Sequence, residues 1–212
     1  MPELDVRGHT AIAMDLPVED GAATFDDYAL VVTEAAASVD GDVVLVGHSL
    51  GSMVIPLVAA ARPASAIVFL CGVIPNLHGT PWDDAPQLEE PGTFDGLVTD
   101  ADGSSVWSTL EAATHAFYSD CTPDDARRAY QRLRRQNSRS LWNRYPLTTW
   151  PTARRIAMIG AADRTVTPAY SRAVCRARLG VDPVELPGGH SPFLARPAEL
   201  ADALVSALAD TE

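Results

Sequence analysis

Residues 42 to 51 read Asp42-Val43-Val44-Leu45-Val46-Gly47-His48-Ser49-Leu50-Gly51, and this stretch decides the fold. Asp42 to Val46 (DVVLV) reads as a strand, its continuous apolar run the pattern of burial on both faces in a parallel sheet. Leu50 to Ala61 reads as a helix that ends at Arg62-Pro63. Between strand and helix, Gly47-His48-Ser49-Leu50-Gly51 fits the GxSxG pattern in the setting that makes it informative. A strand-to-helix reversal this tight forces the serine backbone into a strained conformation, and glycines two positions either side let the two elements approach. The hydroxyl is then presented at the sheet edge. The helix N-terminus points its dipole and free N–H groups, that of Leu50 among them, at a developing oxyanion. Taken alone, the motif is also compatible with an ordinary glycine-containing βα turn.

Working outward, strands and helices alternate. Thr10 to Leu16 (TAIAMDL) reads as a strand, and Phe25 to Val39 as a helix capped by Thr24 with Asp26 and Asp27 in its first turn. Pro56 sits early in the helix after Ser49 and is expected to remove a backbone bond and bend it. Ala66 to Cys71 (AIVFLC) is a second buried strand. From Pro75 to about Trp150 the texture changes to polar residues, Pro, Gly and all four tryptophans, Trp82, Trp107, Trp142 and Trp150. This stretch reads as a mostly helical insertion, a cap over residues 75–150. Alternation resumes with Arg155 to Gly160 (strand), Pro168 to Leu179 (helix), Pro183 to Leu186 (strand) and Pro197 to Ala209 (helix). The expected fold is α/β, a mostly parallel sheet with flanking helices, its core built from residues 1–74 and 151–212.

A serine hydroxyl is a poor nucleophile and needs a base held by a third group. Both are present, in the order Ser, Asp, His. Asp163 lies in Gly160-Ala161-Ala162-Asp163, directly after a strand, where a carboxylate sits at the C-terminal edge of the sheet. His190 lies in Pro187-Gly188-Gly189-His190-Ser191-Pro192, after the last strand, and the glycines let the loop turn the imidazole back over that edge. Alone, Asp163 reads as a turn or capping aspartate and His190 as a loop histidine. Three such residues in order, each at a strand's C-terminal end, favour a triad of Ser49, Asp163 and His190.

Bulk properties narrow the function. The 212 residues are 47% hydrophobic and 21% charged, with net charge −12. That charge argues against a nucleic-acid partner, which needs clustered cations. The basic run Arg127, Arg128, Arg132, Arg134, Arg135 and Arg139 reads as a solvated helix face. Cys71, Cys121 and Cys175 are odd in number and widely spaced, which suggests neither a disulfide framework nor a zinc site. Met1 to Asp5 lacks the basic and apolar regions of a signal peptide and no apolar run reaches membrane length, so neither a leader nor a membrane span is expected. A reducing cytoplasm is the expected compartment, a small molecule the expected substrate, and no metal or organic cofactor is implied.

Together RGHTAIAMDLP, DVVLVGHSLGSM, AIVFLCGVIPN, GAADRTVTP and LPGGHSPFLARP resemble the α/β-hydrolase superfamily from Gly8-His9 onward. The resemblance is nearest to the small esterases that include plant methylesterases and hydroxynitrile lyases. It implies the cap at 75–150 and the triad above. It also implies an earlier strand and oxyanion loop before RGHT, roughly 25–40 residues with no counterpart in this sequence. The fold is therefore expected in an N-terminally shortened form with Leu50 as its remaining oxyanion donor, and a missing donor typically costs about 10²–10³ in rate. Lyase members carry a lysine directly after the catalytic histidine. Ser191 in that place points to an esterase.

Other residues read as structural. His48 is expected to pack beside the site, His9 to lie in a loop, and His78 and His115 to belong to the cap surface. Cys71 reads as an inert buried thiol. Three functions compete. The first is hydrolysis of a small carboxylic ester or related acyl compound through an acyl-serine. The second is a lyase on the same triad. The third is a catalytically weak ligand-binding member of the fold.

Overall fold

The computed structural model describes residues 2–80, 83 and 85–209. Helix α1 (Pro2–Asp5) is followed by a turn through Gly8 (φ +81°). Residues 10–16 then run without joining a ladder, where the sequence suggested a strand. Thr10, Ile12, Met14 and Leu16, every second residue, face a groove of about 250 Å³. Its other wall is the run Asp42 to His48. A strand exists by exchanging backbone hydrogen bonds with a neighbour, and here the groove lies between the two segments. Thr24 starts helix α2 (Phe25–Ala36) with a capping box, accepting from Asp27 N while Asp27 accepts from Thr24 N. Strand β1 (Val44–His48) follows. The expected helix 50–61 is split into a 3-10 turn (Ser49–Met53) and helix α3 (Ile55–Ala61). Pro56 falls in the first turn of α3, where its missing N–H costs nothing, so the expected bend becomes a break. Strand β2 (Ala66–Leu70) completes this half.

The insertion contains helix α4 (Ala85–Leu88), strands β3 (Leu97–Thr99) and β4 (Ser104–Trp107), helices α5 (Leu110–Phe117) and α6 (Pro123–Tyr130), and strand β5 (Gln136–Asn137). Its helices were expected; its small antiparallel sheet, in the order β3-β4-β5, was not. The β3–β4 hairpin turns through Gly103 (φ +88°), and the Asp102 carboxylate accepts from Ser104 N. Strands of two to four residues leave too little alternation to read in a sequence. Only Arg127 and Arg128 of the basic run lie on α6, paired with Asp124 and Asp125. Beyond the helix, Arg134 pairs with Glu19 and Arg135 with Asp100, so acids neutralise this surface locally. Trp150 meets Phe69 edge-on at 6.0 Å and so belongs to the main core, not to the cap. Trp82 lies outside the described residues.

Strand β6 (Arg154–Gly160) leads to helix α7 (Pro168–Val174), which widens into a π-type turn (Cys175–Leu179) ended by Gly180 (φ +71°). Strand β7 (Val184–Leu186), helix α8 (Pro192–Ala195) and helix α9 (Pro197–Ala209) finish the chain. The main sheet is parallel throughout, in the order β1-β2-β6-β7. Alternation along β2 sorts two cores. Ile67 and Phe69 pack with α2, α3 and α7. Ala66, Val68 and Leu70 pack on the other face with Leu200 and Leu204 of α9. Parallel strands place all their C-terminal ends along one edge, and the turns there carry Ser49, Cys71, Asp163 and His190.

Candidate active site

Ser49 begins the turn after β1 with φ +52°, the left-handed region that an L-residue enters only under constraint. The constraint is the contact between strand and turn. A Cβ on Gly47 would lie 2.6 Å from the Gly51 carbonyl oxygen. Ser52 Oγ donates to Gly47 O at 2.7 Å, and Val73 N donates to Ser49 O at 3.2 Å. Leu50 is the second residue of the turn, so its N–H has no acceptor within it.

Asp163 and His190 are joined by a 2.8 Å hydrogen bond from His190 Nδ1 to Asp163 Oδ2, with side-chain exposures of 0% and 1%. The other carboxylate oxygen, Oδ1, accepts from Thr165 N (2.8 Å) and Val166 N (3.0 Å). An ionised carboxylate only accepts, so Nδ1 carries the proton and Nε2 presents a lone pair. Among the described residues Nε2 has no hydrogen-bond partner. The structure thus pairs two of the three expected residues, and the Ser49–His190 hydrogen bond is not made.

Three further contacts hold His190. Phe117 of the cap stacks on its ring (5.5 Å, 28°), His48 Nε2 lies 2.8 Å from its carbonyl oxygen, and the His48 ring packs at 4.6 Å. The turns that carry Asp163 and His190 touch through glycines. Ala162 N donates to Gly188 O, and a Cβ on Gly160 would sit 2.4 Å from Gly189 O. The cap is tied to the same turns. Thr165 Oγ1 donates to Ala116 O at 2.7 Å, Thr167 N donates to Leu88 O at 2.8 Å, and Arg196 pairs with Asp120. Cys71 also has positive φ (+44°) and is buried. Burial pushes its thiol up, with Asp163 adding to the effect, a setting that disfavours the thiolate.

A family model described as the alpha/beta hydrolase family matches residues 1–203. The chain belongs to the alpha/beta hydrolase family. A pyrethroid hydrolase of Sphingobium wenxiniae is 26% identical over 224 residues, covering 96% of this chain and 79% of that protein. The crystal structure of a pyrethroid hydrolase from Sphingobium faniae JZ-2 superposes with a TM-score of 0.85 at 23% identity, over 99% of this chain and 90% of that one. That of polyneuridine aldehyde esterase gives 0.81 at 20% identity, over 97% and 91%. These structural likenesses establish the fold.

For this alpha/beta hydrolase, sequence reading brought Ser49, Asp163 and His190 to one sheet edge. It missed Phe117, whose place over His190 depends on how the cap folds back. It also set His48 aside, although the residue stands inside the motif. His9, His78 and His115 are exposed. Among the described residues no group of three or more His, Cys, Asp or Glu could hold a metal ion, and no helix is long and apolar enough to cross a membrane.

Proposed function

We propose that the chain hydrolyses a small carboxylic ester through an acyl-serine intermediate. Ser49 Oγ attacks the carbonyl carbon while His190 Nε2 takes its proton. The imidazolium, steadied by Asp163, returns that proton to the departing alcohol. Water, deprotonated by His190, then attacks the acyl-serine and releases the acid. The Leu50 N–H stabilises the oxyanion in both halves.

One observation carries this reading: a buried His190 holds its Nδ1 proton on Asp163 and leaves Nε2 unpaired, at the sheet edge where Ser49 takes a left-handed backbone. A buried nitrogen without a partner is destabilising by about 1–3 kcal/mol, which a structural histidine has no reason to bear. The named activities of the similar proteins, pyrethroid hydrolase and polyneuridine aldehyde esterase, support an ester as substrate. The lysine-assisted lyase reading lacks its cation, because the chain contains no lysine at all.

The test is intact-mass and peptide mapping after treatment with a fluorophosphonate, beside p-nitrophenyl acetate turnover. Single labelling at Ser49, lost in Ser49→Ala and strongly slowed in His190→Ala, together with ester turnover, is the expected result. A folded sample that neither labels nor turns over would leave the ligand-binding reading.

A further inference from the structure

We propose that His48 is a positioning residue that sets the distance between the nucleophile and the base. It is the last residue of β1 and immediately precedes Ser49. Its Nε2 reaches across 142 positions of sequence to the carbonyl oxygen of His190, at 2.8 Å. A carbonyl can only accept, so His48 Nε2 is the protonated nitrogen and the ring is a donor. His48 therefore joins the two turns whose separation decides whether Ser49 Oγ can pass its proton to His190 Nε2.

Both ends of this strut are stiff. On the Ser49 side the backbone is locked by the close approach of Gly47 to Gly51. On the far side the carbonyl belongs to His190 itself, whose ring is held independently by Asp163 and Phe117. The His48 ring is fixed in turn, edge-on to Phe193 at 4.8 Å and tilted over His190 at 4.6 Å. A residue that merely filled space would need the ring but not the donor. This separates the inference from a packing role.

The ring also stays neutral. Burial, with the neighbouring His190 adding to it, lowers the His48 pKa from 6.5 to about 3. A strut that became cationic near neutrality would oppose formation of imidazolium on His190 at ring-contact distance. One that is neutral near pH 7 can donate a hydrogen bond without doing so.

The inference rests on the reading of Ser49 as nucleophile and His190 as base. Its test compares His48→Phe, which keeps a ring and loses the donor, with His48→Gln, whose amide nitrogen stands in for Nε2. Each is made in the wild-type and His190→Ala backgrounds. The readouts are the second-order rate of fluorophosphonate labelling at Ser49, kcat and KM for p-nitrophenyl acetate, and Tm. His48→Phe should slow labelling and lower kcat by about 100-fold with KM little changed, the effect of a reacting pair moved by about 1 Å. His48→Gln should stay within about threefold of wild type, as when one neutral hydrogen bond replaces another. In His190→Ala, where the carbonyl remains but no imidazole is left to position, His48→Phe should have no further effect.

The inference is overturned if His48→Phe labels at the wild-type rate, if His48→Gln is as slow as His48→Phe, or if the same loss persists in His190→Ala. Should His48→Phe not fold, His48→Asn, whose amide falls short of the carbonyl, takes its place under the same criteria. Wild-type protein that fails to label at all would instead remove the proposed function, so the two failures are distinct.

Discussion

Asp163 and His190 meet through a single 2.8 Å hydrogen bond in a region closed to solvent, and the second Asp163 oxygen is used by two backbone amides. That division gives each oxygen of the buried carboxylate a donor. It also fixes the His190 tautomer, which is the property a base needs.

Replacing Asp163 by Asn should therefore reverse the tautomer. The amide nitrogen would donate to His190 Nδ1 and leave the proton on Nε2, facing the nucleophile. We expect kcat on p-nitrophenyl acetate to fall about 10⁴-fold. Circular dichroism should show a folded protein, which separates this loss from unfolding.

Gly160→Ala should push the Asp163 and His190 turns apart. Its Cβ would meet the Gly189 and Gly188 carbonyl oxygens at 2.4 and 2.9 Å, and both are backbone atoms that cannot swing away. A stability loss of about 1–3 kcal/mol is expected by urea titration. An activity loss of about 100-fold should accompany it at temperatures where the variant is still folded.

His48 makes stability depend on pH in a defined window. Its folded pKa, about 3, lies below its ordinary value of 6.5. The unfolded chain therefore binds this proton first, and stability rises with pH between those values. The contribution is complete above about pH 6.5 and declines as the pH falls toward 3. Urea midpoints of wild type and His48→Gln, measured from pH 7.5 down to about 4, should diverge on the acid side, with wild type losing more by at most one proton's slope. Parallel curves would place the titration elsewhere.

The Asp120–Arg196 pair should be strongly non-additive. Arg196→Ala leaves Asp120 half-enclosed with an oxygen that already lacks a partner. It should cost about 1–2 kcal/mol. Adding Asp120→Ala should recover part of that loss, because no unpaired carboxylate remains. Thermal unfolding of the two singles and the double completes the cycle.

The parallel half of the fold was legible because short strand-like runs alternate with helical stretches, β2 and most of β6 being buried on both faces, and because Thr24 is a recognisable cap. The site was legible because three turns follow three such strands. Two things were not. Thr10 to Leu16 has the alternation of a strand, but alternation reports which side chains face a core, not whether a ladder partner is in reach. The β3-β4-β5 sheet is too short to show a period. Phe117 stands over His190 only through the path of the cap, a tertiary fact with no local signature, whereas His48 was in plain view inside the motif and was read as filler.

The left-handed backbone at Ser49 carries an evolutionary consequence. An L-residue there costs about 1–2 kcal/mol, which glycine would not incur. Ser49→Gly should consequently unfold at a higher temperature than wild type while losing all turnover. A library of this chain screened on heat resistance alone will enrich glycine at position 49 and discard the enzyme. Any campaign to harden the scaffold has to select for turnover in every round, because at this one position durability and chemistry pull in opposite directions.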